Sequence, residues 1–191
     1  MKIRVVCEVM DNMDSVNSTE SQKIYDNCII TAASESQARG YLKQLKWRND
    51  KGALPKGTEF LVFADPKGKR IGSGGSTIYV LYKLCKHFCF TGENEKYHFP
   101  HELFKGKRIL ILHAGGDSRR IPAYSAIGKI FIPLPTSLSP DVKRSEGTYG
   151  FVTLFDLLLN NLTQLPNLND GQVVVASGDV LLSFDASKVA F

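Results

Sequence analysis

The chain has no long apolar run. A helix that crosses a membrane needs about 20 consecutive apolar residues, and no stretch here reaches that length. No membrane partner is therefore expected. Residues 1–10 are too short and too charged to form a secretory signal, so the expected compartment is cytoplasmic. There are only four cysteines, Cys7, Cys28, Cys85 and Cys89, and reduced thiols are expected in that setting. Cys85 and Cys89 precede His98 and His101. Both the Cys-to-His gap and the His-to-His gap are shorter than those of finger-type zinc sites. The two cysteines also share a helical face with Leu81, Leu84 and Phe88 and are read as buried thiols. No Gly-Lys-Ser/Thr closes a glycine loop, no third glycine completes a dinucleotide fingerprint, and no protein-kinase motif set is present. Neither aromatic stacking platforms nor recognition motifs accompany the basic residues, so nucleic acid is not an expected partner. Internal repeats are absent.

What is present fits one α/β domain of 191 residues. Hydrophobic content of 43% and charged content of 23% are those of an ordinary globular chain. A net charge of +5 suggests an anionic partner and leaves open whether that is a nucleotide or a sugar phosphate. Residues 1–22, with a strand-like Ile3-Arg4-Val5-Val6, read as an N-terminal arm, and residues 23–191 as the domain. Asp26 to Ala33 is a short apolar run ending in small residues, and Ser34 caps a helix from Glu35 to about Trp47. Gly57 to Asp65 is a second strand, and Pro66 to Arg70 a basic turn. Ile71 to Thr77 reads as a glycine-rich loop that feeds a helix from Thr77 to about Phe88. Thr91 to Lys107 reads as loop, and Arg108 to His113 as a buried strand. Ile130 to Pro135 is expected to be extended, Thr136 to Thr148 a surface loop, and Gly150 to about Leu165 an amphipathic helix. Gln172 to Asp179 is expected to be another buried strand. This alternation implies a parallel sheet flanked by helices, with ligands beyond the carboxyl ends of the strands.

Three groups of residues could carry chemistry. The strand ending at His113 empties into Ala114-Gly115-Gly116-Asp117-Ser118-Arg119-Arg120, with Lys129 shortly after. Glycines let a backbone approach a bulky anion, arginine forks match phosphate oxygens, and the lysine adds a point charge. On its own this loop fits a phosphate grip and a tight turn with exposed arginines equally well; the strand and Lys129 favour the grip. The second group is Gly72, Gly74, Gly75 and Ser76, whose backbone N–H groups could form an anion-binding nest beside Lys67, Lys69 and Arg70. A plain cap is the alternative. The third is Asp179, which leaves its strand after Gly178 and is placed to hold Mg²⁺ against a triphosphate. The alternative is a strand-ending turn residue. His113 reads as a residue that shapes the pocket.

These residues resemble the L-fucose-1-phosphate guanylyltransferase (GDP-L-fucose pyrophosphorylase) family, including the form fused to L-fucokinase. The blocks that carry the resemblance are Ile30 to Ser34, Asp65 to Thr77, His113 to Pro122 with Gly128 to Phe131, and Ser177 to Leu181 with Phe184-Asp185. The resemblance implies an α/β fold, a Rossmann-like α/β/α sandwich of the sugar-nucleotidyltransferase type with a mostly parallel sheet. It implies a reaction in which GTP and L-fucose 1-phosphate give GDP-L-fucose and pyrophosphate. Gly116, Arg120 and Lys129 align with the superfamily's glycine, arginine and lysine, and Asp179 with its metal-binding aspartate. Ser118 and Arg119 stand where the superfamily has glycine and threonine. Arg120 and Lys129 are the expected catalytic residues, Gly115 to Arg119 and Gly72 to Ser76 the expected nucleotide contacts, and Mg²⁺ the expected cofactor. The family carries sugar-binding parts and a further carboxylate beyond this length, and the fused form adds a C-terminal kinase domain. The chain is accordingly expected to be a truncated, nucleotide-binding half of the transferase. A non-catalytic phosphate-binding module, or part of a fucokinase polypeptide without its kinase domain, is the competing reading.

Overall fold

The computed structural model describes residues 25–89, 104–116, 122–125, 127–135, 152–165, 171–182, 184–185 and 188–189. The expected N-terminal arm, the loop at 136–148, His98, His101 and Asp117 to Arg120 lie outside the described residues. None of the described helices is long and apolar enough to cross a membrane.

The most apolar segments form the strands. These are β1 (Asn27–Ala32), β2 (Glu59–Ala64), β3 (Ile109–His113) and β4 (Val173–Ser177). They make one parallel sheet in the order β2-β1-β3-β4. Cys28 stands opposite Phe60 on one side and Leu110 on the other, and Ile111 stands opposite Val175. All six residues of β1 are buried, as expected for a central strand of a parallel sheet.

Alternation sends side chains to two faces. Cys28, Ile30, Ala32, Phe60, Val62, Leu110 and Leu112 form one core with two helices, α1 (Glu35–Asp50) and α3 (Leu154–Leu162). Ile29, Leu61, Ile109 and Ile111 form a second core on the opposite face with Val80 and Leu84 of α2 (Gly72–Cys89). The result is the expected α/β/α sandwich. Helices α1, α2 and α3 lie in sequence between successive strands. The chain moves outward from β1 to β2 and then returns to β3 on the other side of β1. That reversal opens a crevice at the carboxyl ends of β1 and β3.

Local chemistry sets the helix ends. Ser34 Oγ accepts from Gln37 N at 3.2 Å, which caps α1. At α3 the Asp156 carboxylate accepts from both the N–H and the O–H of Thr153. That box starts the helix at Leu154, later than the expected Gly150.

Three expectations are corrected. Gly72 to Ser76 is not a loop but the opening of α2. Gly72 enters with a φ of +72°, which glycine adopts without strain. Ser76 Oγ then donates to Asp65 Oδ1 at 2.7 Å, and Gly75 backs onto the Ile71 side chain. The Asp65–Ser76 bond from outside the helix works against the low helix propensity of glycine. Lys129–Phe131 forms a 3-10 turn where an extended segment was expected; Pro133 then bridges antiparallel to Thr153. Finally, β4 is an edge strand whose alternate residues are exposed, not a buried strand. Among the described residues, nothing packs on its α2-side face. Cys85 is buried, as expected, and so is Cys28.

Candidate active site

The end of β3 and the residues after it form the floor of an open cleft of about 150 Å³. His113, Ala114, Gly115 and Gly116 line it on one side, Lys129 and Ile130 on a second, and Gly178 and Asp179 on a third. Close backbone approaches fix the floor. A Cβ on Gly115 would lie 3.2 Å from the backbone of Ala32 and Ala33, so glycine lets β3 run tight against the end of β1. Ala114 N donates to Thr31 Oγ1 at 3.1 Å. Gly178 N donates to His113 O at 2.8 Å, and a Cβ on Gly178 would lie 2.9 Å from that oxygen.

Among the described residues, Lys129 and Asp179 are the charged groups that line the cleft. Lys129 Nζ lies 3.5 Å from Asp179 Oδ2. Ser177 Oγ donates to Asp179 Oδ1 at 2.7 Å. The Ser177 hydroxyl is the main reason that Asp179 titrates below the usual carboxylate range; partial burial works the other way, and Lys129 adds to the lowering. Asp179 is therefore ionised at neutral pH. Both side chains of the pair are partly exposed, so the pair contributes little stability by itself and is accessible to a ligand.

Lys129 begins the 3-10 turn and follows Gly128, whose φ is +66°. Phe131 closes the turn and packs edge-on against Tyr41, with ring centroids 5.3 Å apart. Tyr41 Oη donates to Ala114 O at 2.8 Å. One tyrosine of α1 thus touches both sides of the cleft.

Thr77 Oγ1, 3.0 Å from Ser73 O, is also hydrogen-bonded at 2.8 Å to Nε2 of His113. Burial lowers its pKa, with Asp65 opposing, so the ring is neutral at pH 7. The histidine ties the start of α2 to β3.

Of the residues singled out in the sequence, the structure brings together Gly115, Gly116, Lys129 and Asp179. Gly72, Gly74, Gly75 and Ser76 are not among the residues lining the cleft; Ser76 is bonded to Asp65. Asp117, Ser118, Arg119 and Arg120 lie outside the described residues. Among the described residues, no group of three or more His, Cys, Asp or Glu side chains converges as a metal site. Sequence reasoning missed Gln37 and Tyr41, which bond from α1 to the backbone of the cleft-lining residues Gly116 and Ala114. Ser34-x-x-Gln37 is a capping-box spacing, and that was the one available signal for Gln37.

Known proteins resemble this chain. Residues 101–191 match the fucose pyrophosphorylase domain family. Over 179 residues, 86% of this chain, the sequence is 34% identical to the bifunctional fucokinase/GDP-fucose pyrophosphorylase of Arabidopsis thaliana. It is 33% identical over 172 residues, 88% of this chain, to the fucose-1-phosphate guanylyltransferase of Mus musculus. To that of Homo sapiens it is 34% identical over 160 residues, 84% of this chain. The chain thus resembles fucose pyrophosphorylases over most of its length.

It spans 16%, 25% and 23% of the lengths of these three relatives. No solved structure matches it at a significant level. All the residues lining the cleft fall within the span matched to the fucose pyrophosphorylase domain, whereas Gln37 and Tyr41 precede it.

Proposed function

We propose that this chain carries the nucleotide-binding part of a guanylyltransferase site. The reaction is attack of an L-fucose 1-phosphate oxygen on the α-phosphorus of GTP, giving GDP-L-fucose and pyrophosphate. The observation that carries this reading is the Lys129–Asp179 pair, 3.5 Å apart over a glycine floor at the carboxyl ends of parallel strands. The names of the relatives supply the substrates. No covalent enzyme intermediate is needed, so the protein's task is to position groups and neutralise charge.

Each residue has a defined part in this proposal. The floor at Gly115 and Gly116 brings backbone close to the leaving β- and γ-phosphates. Arg120, from the sequence pattern, adds a forked donor set to the same oxygens. Lys129 balances charge around the α-phosphorus. Asp179 suits Mg²⁺: it is an ionised, accessible oxygen donor at the rim of the cleft, and Mg²⁺ commonly binds one or two carboxylates plus substrate phosphates. When bound, the ion would withdraw charge from the phosphate oxygens. Parts for the sugar acceptor, and a kinase domain of the kind named in the bifunctional relative, would belong to a longer polypeptide.

The test is thermal unfolding of the chain with GTP, with and without Mg²⁺. At 100 times the dissociation constant, binding adds about 2.7 kcal/mol of stability, so the melting temperature should rise with GTP and Mg²⁺ together. Lys129→Ala, Asp179→Asn and Arg120→Ala should each weaken that rise, by a few kcal/mol of binding at most. The apo melting temperatures of Lys129→Ala and Asp179→Asn should stay close to wild type, since their ion pair is solvent-exposed. Undiminished stabilisation by GTP in all three variants would overturn the assignment.

A further inference from the structure

Gln37 is only 4% exposed, yet all of its amide groups are engaged. Ala33 N donates to Oε1 at 2.8 Å. A backbone N–H must meet an oxygen, so this contact fixes which way the amide points. Nε2 then faces two carbonyl oxygens, Gly116 O at 3.0 Å and Ser125 O at 3.2 Å. Gly116 ends the described floor of the cleft. Ser125 follows the 3-10 turn Pro122–Tyr124 and leads toward Gly128 and Lys129. One amide therefore joins the end of β1, the glycine floor and the approach to the lysine. One helical turn further on, Tyr41 bonds Ala114 O and packs on Phe131.

The geometry points to Gln37 as a positioning residue of the nucleotide cleft, one that sets the separation between the glycine floor and the segment carrying Lys129. This rests on the reading of the cleft as a nucleotide site. Gln37 is buried and fully bonded, so it acts through the backbone rather than on a ligand. Only an amide supplies one acceptor and two donors here. Methionine would fill the space but strip three backbone groups of their partner, and buried unpaired groups are costly. Glutamate would keep the acceptor for Ala33 while setting an oxygen against two carbonyls. A helix cap alone does not require these contacts, because Ser34 Oγ already caps α1.

The experiment compares wild type, Gln37→Met and Ser34→Ala as full chains. Ser34→Ala weakens the same helix end without touching the cleft, which controls for simple destabilisation. Hydrogen exchange without nucleotide is measured on peptides covering 113–116 and 122–131, followed by GTP–Mg²⁺ affinity by calorimetry. The expectation is faster exchange at both cleft segments in Gln37→Met only. Affinity should fall about tenfold in Gln37→Met and stay within about twofold in Ser34→Ala. Matching exchange patterns in the two variants, or equal affinities, would overturn the positioning role. If wild type binds no GTP while the exchange difference holds, the nucleotide reading fails and the clamp on the cleft stands. Should Gln37→Met not fold, Gln37→Glu carries the same comparison, because it retains the Ala33 contact and loses the donor pair.

Discussion

Gly116 lines the cleft and Gly128 precedes its lysine, but different constraints hold them. Gly128 has a φ of +66°, and a Cβ there would run into the Tyr41 hydroxyl. Gly116 has no heavy atom within 4 Å of the place a Cβ would occupy, and its backbone needs no positive φ. Gly128→Ala should therefore destabilise the fold by more than about 1 kcal/mol, through backbone strain and steric conflict together. Gly116→Ala should stay within about 0.5 kcal/mol of wild type, while its added methyl group crowds the floor where phosphates are proposed to lie. Urea unfolding of both variants, paired with GTP–Mg²⁺ titration, checks this. A Gly116→Ala chain that is stable and binds GTP as well as wild type would remove Gly116 from the site. The motif as a sequence pattern suggested only that glycine would let backbone approach an anion. It could not show that Gly115 and Gly178 answer to neighbouring backbone, Gly128 to a tyrosine, and Gly116 to open space.

Helices α1 and α3 are joined by a buried ion pair. Arg48 is 2% exposed. Its Nε and Nη2 reach Asp156 Oδ1 and Oδ2 at 2.7 and 3.0 Å, and Nη2 also donates to Thr153 Oγ1. The guanidinium lies over Phe131 and Phe155, 4.9 and 5.4 Å from the ring centroids. The pair thus holds α1 and α3 around the turn that begins with Lys129. Removing one partner leaves a buried charge, so Asp156→Asn should cost up to about 3–5 kcal/mol. Burial pushes the Asp156 carboxyl up, but bonding to Arg48, the Arg48 charge and the Thr153 contacts together hold it below the usual range. A carboxylate depressed in the folded state stabilises the fold above its unfolded pKa and loses that contribution as pH falls through the folded value. The stability gap between wild type and Asp156→Asn should accordingly be full at pH 7 and shrink below about pH 4. Urea unfolding across that range measures it, and a gap unchanged at low pH would count against an ionised Asp156. Local pattern made α1 legible, including its start at Ser34. It could not show that Arg48, a plausible last-turn cation, is a core residue whose partner lies 108 positions away. The start of α2 was misread for a related reason: Ser76 in its first turns is bonded to Asp65, which lies outside the helix. Gln37 was invisible as a cleft residue because its partners are 79 and 88 positions away.

Across the whole molecule the sheet is asymmetric. Strand β1 has neighbours on both sides, and helices cover both faces of the sheet there. Among the described residues, strand β4 has one neighbouring strand and packs into the core on one face. Val174 and Ala176 pack toward the core shared with α1 and α3. Val173 and Val175 are 37% and 49% exposed, and Val180, Leu181 and Phe184 continue the exposed apolar surface. An unbroken run of valines reads as a buried strand whether it stands at the centre or at the edge, which is why composition gave the wrong expectation for β4. The register supplies a direct comparison, because Val175 is paired with Ile111 on the same face. Ile111 is fully buried beneath α2. Ile111→Ala should cost about 2–5 kcal/mol, the usual range for emptying a packed site. Val175→Thr, one strand over, should change stability by no more than about 0.5 kcal/mol. Urea unfolding of the two variants decides the point. A cost at Val175 comparable to that at Ile111 would mean that this face of β4 is covered in solution, and that the described core extends one strand further than the structure shows.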